Sequence, residues 1–160
     1  MQLGKTVLAL TLFVAGVQAQ NSSLDLALAW LAANQNADGS WGGADCWQPV
    51  CTPFATMALL NSSGNSSNVS AALAWMKADL QNAESWSWAE ADIPGLQLLA
   101  VMRSGNYSDL NRSNVTARLL GLQDGESGGF LGWWTANGTI ADSVDTAIAL
   151  MGLLEADEIN

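Results

Sequence analysis

The chain has 160 residues but no histidine, only two cysteines and only five basic side chains. Without histidine, Ser-His-Asp and Cys-His nucleophile arrangements are excluded, and so are zinc sites that need an imidazole ligand. The few Lys and Arg residues stand against 15 acidic ones and give a net charge of −10. Nucleic acids and anionic membrane surfaces require clusters of basic residues, so neither is an expected partner. Strand patterns are also nearly absent.

The N-terminus has the features of a secretory signal peptide. Lys5 precedes an apolar run over 6–17, and Val17-Gln18-Ala19 supplies small residues for cleavage. The run is short for a bilayer span, although a retained membrane anchor is the alternative. We predict a signal peptide over 1–19 and a mature domain over 20–160. Cleavage would remove Lys5 and no acid, leaving four basic and 15 acidic side chains and a net charge of −11. The predicted location is extracellular or at the cell surface, with no membrane span after cleavage.

Glycosylation signals agree with export. Asn-x-Ser/Thr sequons are frequent, although turn composition alone is the alternative explanation. We expect surface loops at 61–70 and 106–114, because a glycan needs exposed backbone. The predicted N-glycosylation sites are Asn21, Asn61, Asn65, Asn68, Asn106, Asn111, Asn114 and Asn137.

Cys46 and Cys51 form an isolated close pair. In an oxidising compartment such a pair predicts a disulfide. A metal site would need further ligands that a chain without histidine does not supply. We therefore expect no metal and no cofactor.

A unit of about 45 residues occurs three times. Leu28-Ala29-Trp30-Leu31 returns 45 positions later as Leu73-Ala74-Trp75-Met76, and a third copy begins at 117–123. Each copy is predicted to form a helix, a Gly-rich turn and a second helix. The predicted repeats cover about 24–62, 69–104 and 114–156, and the fold class is all-α.

The turn of the first repeat resembles the Gln-Trp repeat of squalene and oxidosqualene cyclases. The resemblance lies in 29–42, which ends Gln35-Asn36-Ala37-Asp38-Gly39-Ser40-Trp41-Gly42, and segment 123–130 is a variant of it. The second copy departs from the pattern, since Glu84 replaces the turn glycine. Similar units occur in prenyltransferase β subunits, cobalamin carriers and thioester domains. The resemblance implies an α/α toroid, here three helical hairpins that form an incomplete ring, either an open arc or a half-ring.

The resemblance also implies that catalysis is lost. Class II cyclases protonate an alkene through an Asp-x-Asp-Asp-Thr-Ala motif, and the corresponding segment here runs Asp142-Ser143-Val144-Asp145-Thr146-Ala147. Val144 occupies the position of the acid, and a valine cannot transfer a proton. Asp145 is predicted to cap a helix instead. Paired carboxylates such as Glu90 and Asp92 are expected to be solvated. We predict a protein that is not an enzyme.

Aromatic residues in the turns are the candidate binding surface. If the repeats stack, their turns meet at one end and form an aromatic rim for a sugar, an apolar group or a protein. The alternative is that each ring packs between hairpins. The expected function is an extracellular interaction module; a small-ligand carrier and a degenerate terpene-cyclase-like enzyme are the alternatives. Partners are surface proteins or a small apolar or glycan ligand, with a homodimer as one assembly. The rim residues are Trp41, Trp86, Trp88, Phe130, Trp133 and Trp134.

Overall fold

The computed structural model describes residues 23–63, 66–82, 91–135, 138–141 and 143–157, and for Ser63, 131–135 and 138–140 it describes the backbone alone. The chain divides into two compact units, residues 1–34 and 35–160. In the first unit, helix α1 covers 23–33, and Trp30 on it exposes 63% of its surface. Trp30 therefore does not lie in the interior.

The second unit is mostly helical, which confirms the predicted all-α class. Its elements are α2 (Gln48–Ser63), α3 (Ser67–Gln81), α4 (Asp92–Arg103), α5 (Arg112–Leu120), β1 (Leu131–Thr135), β2 (Gly138–Ala141) and α6 (Ser143–Glu155). None of the helices in the described ranges is both long and apolar enough to cross a membrane.

The second helices of the three predicted repeats, α2, α4 and α6, lie side by side. The central helix α4 packs on both α2 and α6, and it is buried continuously from Pro94 to Met102. A helix buried around its whole circumference needs neighbours on every side, and α3 supplies a further one. Contacts between alternate helices are what stacked helical hairpins produce.

Glycines set the distance between α4 and α6. A side-chain carbon added to Gly95 would lie 2.8 Å from Cα of Ala149. One added to Gly152 would run into the backbone of Gly95. The two helices therefore touch backbone to backbone at this crossing, which larger residues would prevent.

A two-stranded antiparallel ribbon, β1 with β2, interrupts the third repeat before α6. Leu131 pairs with Ala141 and Thr135 with Gly138, and the register shifts between these pairs. The alignment of the three repeats predicted no strand in this segment. The local sequence does carry a hairpin signal, because Asn137-Gly138 lies between β-branched and aromatic residues.

Side-chain capping fixes where α3 and α5 begin. The Ser66 hydroxyl accepts a hydrogen bond from Val69 N (3.3 Å), and the Asn111 side chain accepts one from Asn114 N (3.3 Å). Helix therefore replaces much of the surface loop predicted over 61–70, and α5 begins inside the loop predicted over 106–114.

Asp145, which was predicted to cap a helix, lies within one, and Asp92 does as well. Asp92 is the first residue of α4, and its carboxylate accepts a bond from Ile93 N (2.7 Å). Asp145 lies in the first turn of α6 and is 6% exposed. The first-turn position still allows each carboxylate to interact favourably with the helix dipole.

Candidate functional site

The turn of the first repeat is organised by its glutamine. Gln35 Nε2 donates to the carbonyl oxygens of Gly39 (2.7 Å) and Asn68 (2.8 Å). Asn68 Nδ2 donates in return to Gln35 Oε1 (2.7 Å). Gly39 has a φ of +92°, and an added side-chain carbon there would lie 2.6 Å from the carbonyl oxygen of Ala71. The glutamine thus fixes the turn against the start of α3, and glycine is required at the point of closest approach.

A second set of bonds closes the same turn. The backbone nitrogen and hydroxyl of Ser40 both donate to Asp38 Oδ1, at 3.0 and 2.7 Å. The bond from the Ser40 hydroxyl is the main cause that lowers the pKa of Asp38. Gln48 Nε2 also donates to the Ser40 hydroxyl (3.1 Å), which connects the turn to the first residue of α2.

Trp41, the aromatic residue of the first turn, is buried. Its backbone nitrogen donates to the Thr52 hydroxyl (3.0 Å), and that hydroxyl donates to the Trp41 carbonyl (3.2 Å). Thr52 has no exposed surface, and Trp41 is 4% exposed. The threonine therefore satisfies backbone groups of a buried aromatic residue from within the following helix.

The turn of the third repeat is built in the same way. Gln123 Nε2 donates to the Gly128 carbonyl (2.7 Å), and the Ser127 hydroxyl donates to the Asp124 carboxylate (2.5 Å). The backbone nitrogen of Phe130 donates to the Thr146 hydroxyl (2.9 Å), as Trp41 does to Thr52. Phe130 is 1% exposed. The two turns therefore share a glutamine bond, an aspartate–serine bond and an aromatic residue held by a threonine.

This geometry changes the predicted aromatic rim. Trp41 and Phe130 are buried and offer no aromatic surface to a partner, because they pack into the repeats as the alternative interpretation proposed. Trp86 and Trp88 lie outside the described residues, and so do the side chains of Trp133 and Trp134. For these four residues the rim stays a prediction.

Two other aromatic residues face solvent at the start of α2. Trp47 exposes 48% of its surface and Phe54 exposes 55%. Trp47 directly precedes α2, and Phe54 is the seventh residue of that helix. We name Trp47 and Phe54 the α2 aromatic surface. Repeat matching did not select Trp47, because the cysteine loop is an insertion between aligned segments, although a tryptophan between two cysteines was a usable signal.

A disulfide holds the base of the α2 aromatic surface. Cys46 and Cys51 are bonded, as predicted, with their Cα atoms 6.2 Å apart. Gly43 N donates to the Cys46 carbonyl (2.8 Å), while the Trp47 carbonyl accepts from the backbone nitrogens of Val50 and Cys51, both at 3.0 Å. Backbone bonds on either side thus fix the backbone of Trp47.

The described part of segment 142–147, which includes the start of α6, does not present a solvent-facing carboxylate pair. Asp145 is buried, and Val144 is 63% exposed. Asp142 lies outside the described residues. Among the residues that the structure describes, no group of three or more acidic or cysteine side chains could hold a metal ion.

The described sequon asparagines differ in exposure. Asn61, Asn106, Asn111 and Asn114 are exposed, whereas Asn68 is half-buried and its amide binds Gln35. Asn61 lies in the last turn of α2, and Asn114 lies in the first turn of α5. Asn21, Asn65 and Asn137 lie outside the described residues.

Fold and site together define a mostly helical protein with a disulfide-supported aromatic surface and two matching Gln-Asp-Ser turns. Comparisons of the chain with protein-family models, with curated proteins and with solved structures gave no match.

Proposed function

We propose that the chain is a secreted or cell-surface glycoprotein module that binds an extracellular protein through the α2 aromatic surface and catalyses no reaction. The half-exposed rings of Trp47 and Phe54, supported by a disulfide, carry the proposal. Aromatic side chains are enriched among the residues that dominate binding energy at interfaces. An oxidising compartment, which the disulfide requires, fits the predicted signal peptide over 1–19 and the exposed sequons.

The same proposal includes membership of the Gln-Trp repeat family. It is supported by the matching hydrogen bonds at Gln35 and Gln123 and by the lateral packing of α2, α4 and α6. Three hairpins arranged in this way would form part of an α/α toroid.

The two alternatives receive less support. A carrier requires an apolar cavity between repeats, but the backbone contact at Gly95 and Gly152 leaves no room for a ligand between α4 and α6. A hollow in the described part of the chain is lined by Met57, Leu60, Asn61 and Arg103, which places a sequon and a cation beside it. An enzyme of the cyclase type would need an acid at Val144.

Binding to arrayed proteins tests the proposal. The full chain is expressed in a eukaryotic secretory host, tetramerised to raise avidity, and applied to arrays of secreted proteins, surface proteins and glycans. We expect a protein partner whose affinity falls about 30-fold or more in W47S/F54S, since an interface aromatic contributes about 2 kcal/mol or more. The matched control is L120S, which removes a 40% exposed leucine from the end of α5.

Each result has one meaning. Loss of binding in W47S/F54S with retention in L120S supports the α2 aromatic surface. Binding that survives W47S/F54S, or binding to glycans alone, would refute it. Recovery of the chain in cells rather than medium would refute secretion, and the mature N-terminus is expected at Gln20.

A further inference from the structure

A hollow lies at the C-terminal ends of α2 and α4. It has a volume of about 150 Å³ and is lined by Met57, Leu60 and Asn61 of α2 and by Arg103, the last residue of α4. A cavity of about 150 Å³ in another protein binds benzene, so this volume suits one six-membered ring. The hollow is open to solvent, and a group that enters it can therefore continue outward.

The three lining residues of α2 give the hollow an apolar wall beside an amide. Leu60 and Asn61 follow Met57 at three and four positions, which is the spacing of neighbours on the surface of a helix. Met57 and Leu60 are half-buried, so part of each apolar side chain remains accessible, and Asn61 is exposed. A ring with apolar C–H groups could pack on the two apolar side chains while it is bonded to Asn61.

Arg103 adds hydrogen-bond donors from α4. Its Nε donates to Glu155 Oε2 (3.4 Å), and 50% of the Arg103 side chain is exposed. A guanidinium has five N–H donors in a planar fork, and the bond to Glu155 uses one of them. A ligand that suits this hollow therefore carries carbonyl or hydroxyl oxygens as well as apolar groups.

The asparagine in the wall indicates which ligand this is. Asn61-Ser62-Ser63 is a sequon, and the sugar attached to Asn61 Nδ2 in an N-glycan is N-acetylglucosamine. This sugar has a six-membered ring with axial C–H groups, an acetyl methyl, and carbonyl and hydroxyl oxygens that accept hydrogen bonds. Its size and its chemistry match the volume and the lining of the hollow, and its point of attachment is part of the wall.

We propose that the first sugar of a glycan on Asn61 occupies this hollow, where it packs on Met57 and Leu60 and accepts a hydrogen bond from Arg103. The inference rests on the glycoprotein part of the proposed function, and it gives one sequon a structural role. The sugar then acts as an additional side chain that connects the ends of α2 and α4. Its contribution to stability should exceed that of a glycan on an exposed connection.

Thermal unfolding of the glycosylated chain tests the inference. The full chain is secreted from a eukaryotic host, and mass spectrometry of glycopeptides measures the occupancy of Asn61 and Asn106. S63A removes the first sequon but keeps Asn61. S108A is the matched control, because it removes the sequon of Asn106, an exposed residue between α4 and α5. We expect S63A to lower the melting temperature by about 4 °C, and S108A to stay within about 2 °C of the wild type.

A double-mutant cycle separates the sugar contact of Arg103 from its bond to Glu155. R103A removes both, but the bond to Glu155 is lost with and without the glycan and cancels in the cycle. R103A should therefore lower the melting temperature by about 2 °C more in the wild-type background than in the S63A background. Equal shifts in the two backgrounds would show that Arg103 does not bind the sugar and would overturn the proposal.

Two enzymatic treatments of the folded wild type measure the same contribution without a substitution. Trimming every glycan to its first sugar should change the melting temperature by less than about 2 °C, because that sugar makes the contacts. Removing the glycans entirely should lower it by about 4 °C, as in S63A. If trimming and complete removal have the same effect, the first sugar does not stabilise the fold and the proposal is wrong.

An occupied Asn61, a larger loss in S63A than in S108A and a coupling to R103A together support the proposal. A chain with a bare Asn61 and glycans elsewhere, or an S63A variant that melts with S108A, would overturn this inference alone. A secreted chain without any glycan would refute the glycoprotein proposal as well. Partner binding that survives W47S/F54S would refute the α2 aromatic surface and would leave the stability measurements unaffected.

Discussion

Replacing Gly152 with alanine tests the α4–α6 contact, because two effects of opposite sign compete there. Alanine has the higher helix propensity, which alone would stabilise α6 by about 1 kcal/mol. The added carbon, however, would meet the carbonyl carbon and Cα of Gly95 at 3.1 Å, and its oxygen more closely still. These obstacles are backbone atoms, which cannot rotate away as the end of a side chain can.

We therefore expect the steric clash with the Gly95 backbone to outweigh the gain in helix propensity. Overpacking a close contact costs about 1–3 kcal/mol and occasionally more. Separating two helices that touch along their backbones should cost about 3 kcal/mol, the upper end of that range. Subtracting the gain of about 1 kcal/mol from helix propensity leaves an expected net loss of stability of about 2 kcal/mol. For a domain of this size, that loss lowers the melting temperature by about 6 °C.

Scanning calorimetry at a concentration that keeps the chain monomeric measures this shift. The matched control is G125A, because a side-chain carbon added at Gly125 meets nothing within 4 Å. G125A should melt within about 2 °C of the wild type, as surface substitutions usually do. If the melting temperature of G152A equals or exceeds that of G125A, the backbone contact between α4 and α6 is not as described.

Three further predictions concern the turns and the disulfide. T146V removes the acceptor of the Phe130 nitrogen and should lower the free energy of unfolding in urea by about 1–3 kcal/mol, whereas T146S should not; equal losses in both would contradict the role of the hydroxyl. The Ser127 hydroxyl bond lowers the pKa of Asp124 below its ordinary 3.8, so its stabilisation is complete above that value and is lost as pH falls through the lower folded pKa. Melting temperatures from pH 6 to pH 2 should therefore fall more steeply in the wild type than in D124N; parallel curves would refute this linkage. The double variant C46S/C51S should lose about 2 kcal/mol of stability in urea and also weaken partner binding, and unchanged binding would show that the disulfide does not position the α2 aromatic surface.

Much of the local structure was predictable from sequence. Helical periodicity, Gly-rich turns and a 45-residue repeat predicted helices and turns. Short-range chemistry also predicted the disulfide between Cys46 and Cys51. Helix ends were less accurate, since Ser66 and Asn111 cap helices inside segments predicted as loops. The β1–β2 ribbon was missed because repeat matching took precedence over the local hairpin signal at Asn137-Gly138.

The candidate site was harder to predict, because exposure depends on neighbours that are distant in sequence. Repeat position made Trp41 and Phe130 candidates for a rim, yet Thr52 and Thr146 hold them in the interior. Trp47, inside the cysteine loop, is half-exposed instead. Their chemistry is similar, and only the packing around them differs.

The sequence by itself determined which segments form helices, where glycine permits a turn and which cysteines pair, because these depend on interactions over a few residues. The tertiary structure decided which apolar surface stays in contact with water. The spacing of apolar residues predicts that α6 is apolar on several faces. Only the packing shows that Gly152 contacts α4 while Met151 faces solvent. That choice depends on the position of Gly95, more than 50 residues away in the chain, and such long-range contacts are not encoded in any local pattern.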